Sequence, residues 1–385
     1  MRHQFWHRGM RLALALGASV LFAAPGRADD TPARFGLALP MSGSQALYGT
    51  DQVKAAALAV EDINKAGGVN GRKLEMITVD TQADPQLGIN AANRFVSVDK
   101  VPVFAVGWSA VVKAMAPTAN RANVLQLSVG ANSPQIAKLG DYVYTTFPLA
   151  TVNLTALAKY SYETLGKRRA AVLYINNETG SESAKIYKDA FEKAGGEVVA
   201  YEAYDPKATD YTGMLLRVRA ANPDIIHLHG LVADMPQVIA QMRQLGLQQR
   251  VTSYSAAQNP KLVQQLGKGA EGLIVTSLAP GASDNPNIAP FVERWTKELG
   301  HAQNGMESVE YLYDLPYIVA ELYRWIDKQK LPATGENLRR ALLEIKNFNL
   351  PLTGRLTVLD DHTVDKPVYL FTVKDGEFVP LAKLN

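Results

Sequence analysis

The sequence predicts an α/β fold of two doubly wound lobes joined by three chain crossings. Three observations lead there. Short apolar runs that read as strands alternate with amphipathic runs that read as helices, the pattern of parallel sheets covered on both faces. The alternation runs through once to about residue 148 and then starts again. About a hundred residues remain after the second run ends near 278, too many for a loop and too poor in strands for a third sheet. A chain of 385 residues has room for two domains of ordinary size.

In the first run, 35–40 is a short apolar strand and Ser42-Gly43-Ser44 a loop. A helix follows from about 51, with Val53, Ala56, Ala57, Val60 and Ile63 on one face, and Gly67-Gly68 stops it. Residues 74–79 form the next strand. Asp84 caps, and Pro85 opens, a helix through 98. Strand 101–106, helix 110–122 and strand 124–127 complete this run. The second run reads as helix 152–165, strand 170–175, helix 182–193, strand 198–201, helix 214–220, strand 225–229, helix 235–245, and strands 251–254 and 273–277. Helices at 288–299, 308–328 and 335–345 and β-like segments at 356–359 and 368–373 close the chain.

The late helices have apolar faces but no full sheet to cover, so the economical course is a return to the first lobe. The last strands then return to the second. That assigns 29–149 and 279–355 to the first lobe, and 150–278 and 356–385 to the second. A cleft lies between them. Ligands of open α/β sheets bind beyond the carboxyl ends of the strands. Here those ends are 40–44, 107–110, 128–132, 176–180 (which contains Thr179), 229–232 and 255–257, all rich in Gly, Ser, Asn or Thr.

Residues 1–28 read as a cleaved export signal. Arg2, Arg8 and Arg11 precede an uncharged run at 12–24, Pro25-Gly26 breaks it, and Gly26 and Ala28 stand at −3 and −1 of a cleavage site before Asp29. The run is short of the ~20 residues that a membrane span needs. Removing this segment takes away four arginines and no acid, leaving 36 basic against 37 acidic residues. A nucleic-acid or anionic-membrane partner needs a clustered basic face and is not expected. Hydrophobic residues at 47% and charged residues at 20% exclude disorder and a fibrous chain. The absence of cysteine excludes a disulfide scaffold, a thiolate metal site, a cysteine nucleophile and a lipidated cysteine.

Enzyme motifs are missing. No phosphate loop, dinucleotide fingerprint, H-E-x-x-H or G-x-S-x-G elbow occurs. Ser97-Val98-Asp99-Lys100 fits S-x-x-K by chance, at a helix end and without its partner motifs. His227 and His229 share one strand face, but no third ligand is evident, so no metal and no cofactor is expected. Glu61, Asp62, Glu192 and Glu321 read as solvated helix faces. Tyr311, Tyr313, Tyr317, Tyr323 and Trp325 read as core packing.

A set of local motifs carries more. Leu39-Pro40-Met41-Ser42-Gly43, Tyr48-Gly49, Ala59-Val60-Glu61-Asp62-Ile63-Asn64 and Gly67-Gly68-Val69-Asn70-Gly71 stand in one block. It resembles the start of the branched-chain amino-acid-type solute-binding proteins of ABC importers, the type I periplasmic binding proteins. The likeness continues at Asp84-Pro85, Ala116-Pro117, Ser133-Pro134, Phe147-Pro148, Ala270-Glu271-Gly272 and Asp375-Gly376. It implies a two-lobed, three-hinge fold, a periplasmic location, closure on a ligand and delivery to ABC-transporter permease subunits, and it does not imply enzymatic activity. The expected state is a monomer that is not an enzyme.

The resemblance also implies site residues. The family's carboxylate-holding serine loop corresponds to Trp108-Ser109-Ala110, its second loop to Gly130-Ala131-Asn132, and a cleft tyrosine to Tyr48. A hydroxyl and free backbone N–H groups at a helix start suit a carboxylate. The family's acidic residue in the second lobe falls at Ser255, and a tyrosine there falls at Leu231. A buried ammonium needs a paired charge. The expected ligand is therefore a small carboxylate without an α-amino group, aromatic or aliphatic. Trp108 and Tyr48 would cover its body, and His229 and Ser255 would meet its far end. The alternatives are a leucine-like ligand, if the second-lobe loops are displaced by a few residues, and a ligand-sensing receptor subunit.

Overall fold

The structure, a computed structural model, describes residues 1, 31–301 and 306–384. The expected signal and its cleavage site lie outside the described residues.

The first lobe begins with β1 (Ala33–Leu39), α1 (Ala46–Lys65), β2 (Leu74–Asp80), α2 (Pro85–Ser97), β3 (Val103–Val106), α3 (Ser109–Ala122), β4 (Leu125–Ser128) and β5 (Val143–Thr145). Its sheet is parallel, in the order β2-β1-β3-β4-β5. Alternation along β1 sends Phe35, Leu37 and Leu39 into one core layer and Ala38 into the other. Asp84 caps α2 by accepting from the Leu87 N–H at 2.9 Å, with Pro85 at the first helical position.

The second lobe continues with α4 (Ala150–Glu163), β6 (Arg169–Ile175), α5 (Glu178–Lys193), β7 (Glu197–Tyr204), α6 (Thr212–Ala220), β8 (Ile225–His229), α7 (Met235–Gln244), β9 (Arg250–Ser253), α8 (Pro260–Leu266) and β10 (Ile274–Ser277). The chain then returns to the first lobe through α9 (Ile288–Leu299), α10 (Met306–Lys328) and α11 (Gly335–Ile345). Trp295 and Phe291 of α9, and Leu312, Leu315 and Leu322 of α10, enter the core layer of Phe35 and Leu37.

A small antiparallel sheet follows, β11 (Asn347–Leu350), β12 (Gly354–Val358) and β13 (Val364–Asp365). Only then do β14 (Val368–Lys374) and β15 (Glu377–Leu384) extend the second sheet, whose order is β15-β14-β10-β9-β8-β6-β7. The β-like segment expected at 356–359 therefore does not cross to the second lobe. Leu356 and Val358 pack in the first-lobe core with Phe348 and Leu350 of β11. The last crossing lies ten residues later, at Lys366-Pro367.

Three crossings join the lobes, after β5, after β10 and after β13. Tyr311 of α10 touches all three. Its ring meets Phe147 edge-on at 4.8 Å, its hydroxyl donates to the Leu278 carbonyl at 3.0 Å, and the Lys366 ammonium sits 4.7 Å from its ring centre.

Two helix starts differ from expectation by four residues or more, and both bear on the cleft. The first helix starts at Ala46 rather than near 51. Gly49 makes this possible, since a Cβ there would lie 1.9 Å from the Pro40 carbonyl oxygen. The fifth starts at Glu178 rather than 182, because Asn177 caps it by accepting from the Gly180 N–H at 2.7 Å.

Candidate functional site

Both sheets share one topology. In the first, β1 and β3 are neighbours; in the second, β6 and β8 are. The chain winds outward in opposite directions from each pair, so each pair marks a switch point where a crevice opens at the carboxyl ends. The two crevices face each other and enclose a cavity of about 440 Å³, within the range of small-ligand sites.

The first lobe contributes Tyr48, Trp108, Ser109, Gly130 and Asn132 to its lining. Ser109 opens α3, where the first backbone N–H groups have no intrahelical acceptor. Its hydroxyl accepts from the Ser133 N–H at 3.2 Å, which fixes the rotamer and leaves the hydroxyl hydrogen to give. The Asn132 carbonyl accepts from the Ala150 N–H at 2.8 Å, pinning that backbone where the chain crosses. Trp108 has φ +62° and ψ 118°, a conformation sparsely populated by any side-chain-bearing residue. Ala110 is exposed and is not among the residues lining the cavity.

The second lobe contributes Thr179, His229, Leu231, Tyr254 and Ser255. His229 ends β8 and lies flat on the Tyr254 ring, with centroids 3.8 Å apart. Burial pushes its pKa down to about 3, so the imidazole is neutral at pH 7. Burial also pushes the Tyr48 phenol up to about 12. Asp234, the nearest acid to these loops in sequence, is turned away. It accepts from the Tyr204 hydroxyl and, at 3.1 Å, from the Leu231 N–H, and it does not line the cavity. Burial raises its pKa. No lining residue is Asp, Glu, Lys or Arg.

The lips of the two lobes touch. Lys113 of α3 pairs with Glu178 of α5 at 2.5 Å, the Ser133 hydroxyl donates to Glu182 at 2.7 Å, and the Gln135 amide donates to the same carboxylate. Tyr48 packs against the core of the second lobe.

The structure thus gathers Tyr48, Trp108, Ser109, Gly130, Asn132, Thr179, His229, Leu231 and Ser255 around one cavity and leaves Ala110 outside. Sequence reasoning missed Gln45, Gln52, Gln82, Asn177 and Tyr254, which also line it. Gln45 and Gln52 went unnoticed with the early start of α1; Asn177 was legible as a cap before a helix. Asp62 is not merely solvated. It accepts from Arg294 and from the Tyr313 hydroxyl, both at 2.6 Å, tying α1 to α9 and α10. Among the described residues no cluster of three or more His, Asp or Glu could hold a metal ion. His227 instead stacks on Tyr187 at 3.9 Å.

A two-lobed α/β molecule, with a cavity at facing switch points and no charged lining, is built as a ligand-binding protein. Comparison with known proteins makes this specific. Residues 32–377 match the family described as periplasmic binding protein. A Leu/Ile/Val-binding protein homolog from Brucella suis is 26% identical over 73% of this chain and 75% of that protein. A Leu/Ile/Val-binding protein of Citrobacter freundii is 28% identical over 61% and 65%. The crystal structure of a leucine-binding protein from Thermotoga maritima superposes with a TM-score of 0.80 at 22% identity, covering 91% of this chain and 98% of that one. The chain belongs to the periplasmic binding proteins, and its fold is that of the type I members. That family is one of ligand-binding proteins of the periplasm.

Proposed function

We propose that the cleft captures a small monocarboxylate with an apolar body, and that a branched-chain amino acid stands first among such ligands. The Leu/Ile/Val-binding relatives favour that choice over the amine-free acid expected from the sequence. The observation that carries the carboxylate reading is the serine at the start of α3, facing the cavity beside Gly130 and Asn132. Without an acid in the lining, the ammonium of an amino acid would rest on neutral acceptors and on the faces of Trp108, Tyr48 and Tyr254.

One observation favours a second reading, an amine-free acid. Every lining residue is uncharged at pH 7, and an ammonium taken from water without a counter-charge is costly. Calorimetry with leucine, isoleucine and valine against 4-methylpentanoate, phenylacetate and benzoate separates the two. In either case Ser109→Ala should weaken binding by ~1.5–3 kcal/mol, the range for a hydrogen bond to a charged group. No loss would remove the carboxylate reading. We further propose a monomer, exported and cleaved near Ala28, so that the periplasmic chain begins close to Asp29.

A further inference from the structure

We infer that His229 forms a second polar subsite of the cleft, one that receives an uncharged hydroxyl at the end of the ligand remote from its carboxylate. The inference rests on the second reading above, the amine-free acid, and names its class as hydroxy acids.

The two histidines of β8 share a strand face but not a role. His227 lies flat on Tyr187 and reaches the Thr252 hydroxyl through Nδ1 at 3.3 Å; its Nε2 is buried without a partner, but the residue does not line the cavity. His229 is fully buried, lines the cavity, and has no hydrogen-bond partner at Nδ1 or Nε2. Stacking on Tyr254 holds its ring in place. An apolar ring would pack there without two desolvated nitrogens, and such nitrogens are costly unless something bonds them.

The surroundings decide what that something is. A second charge would have no partner in a lining without charged side chains. A neutral imidazole presents one donor and one acceptor, and a hydroxyl can answer either. Gln52, from the opposite lobe, brings a second buried acceptor without a partner, its Oε1, to the same cavity. Trp108, Ile175 and Leu231 supply apolar lining suited to the body.

The test is calorimetry on the full mature chain at pH 7 with matched pairs: benzoate against 4-hydroxybenzoate, and phenylacetate against 4-hydroxyphenylacetate, with leucine alongside. The hydroxylated member of at least one pair should bind about tenfold or more tightly, because a site built to bond a hydroxyl rejects the analogue lacking it. His229→Leu should bring that pair within about twofold while the parent acid still binds, and His229→Gln, which keeps a donor and an acceptor, should restore part of the difference. Acids that bind, weaken with Ser109→Ala and ignore the hydroxyl overturn the inference and leave the amine-free reading standing. Leucine bound with no acid of either pair overturns both. The wild-type comparison needs no variant, so a folding failure of His229→Leu does not shelter the proposal.

Discussion

Trp108 stands where the cleft meets the first core, with a positive φ that glycine would accept more readily. The position precedes Ser109, so the strained backbone aims the start of α3 at the cavity while the indole covers it. This gives a test in which the usual ranking of small residues reverses. Trp108→Ala and Trp108→Gly lose the same indole and the same packing against two core clusters. Only glycine accepts the backbone, so Trp108→Gly should be the more stable of the two by about 1 kcal/mol in urea unfolding. Equal stability would mean that the loop relaxes and the strain is not fixed by its surroundings. Both variants should bind ligand more weakly than the wild type.

Among elements, α10 does the most joining. Asp314 on it is fully buried and accepts from the Leu352 N–H at 3.0 Å, the Thr353 N–H at 2.7 Å and the Thr353 hydroxyl at 2.6 Å. The Lys366 ammonium donates to that same hydroxyl at 2.5 Å, and burial pushes its pKa down to about 7. Helix, small sheet and third crossing are thus tied by one buried polar group. Asp314→Ala leaves two N–H groups and the Thr353 hydroxyl without their acceptor, and the Lys366 ammonium without its counter-charge, and should cost ~3–5 kcal/mol of stability, measurable by chemical denaturation. A loss below about 1 kcal/mol would mean that water replaces the carboxylate. None of this was legible in the sequence, where Asp314 is one acid among the aromatics of a long helix. What could be read was the part governed by local rules. Asp84-Pro85 had to open a helix, and strand ends built from Gly, Ser and Asn had to form loops. The start of α1 could not be read, because it depends on Gly49 meeting Pro40, a contact between elements. Nor could β11 and β13, which are short and take their identity from pairing with β12. For the same reason Asp62 looked like a surface acid until Arg294 and Tyr313, more than two hundred residues on, were seen beside it.

For the molecule as a whole, three crossings gather around Tyr311, and the lip contacts join the lobes on the far side of the cavity. Lys113–Glu178 and the bonds from Ser133 and Gln135 to Glu182 lie outside the set of cavity-lining residues. Each is partly exposed and worth ~0.2–1 kcal/mol. A double variant, Glu178→Ala with Glu182→Ala, should speed ligand dissociation about two- to tenfold while keeping the order of preference among ligands, as read by stopped-flow tryptophan fluorescence. A changed order of preference would show that the lips take part in recognition. Under this arrangement, who is admitted and how long they stay are settled by different residues. The chamber chooses the guest and the latch sets the length of the visit. A handful of surface substitutions at Lys113, Gln135, Glu178 and Glu182 could therefore retune the protein from scavenging to rapid turnover of its cargo without touching the chamber at all.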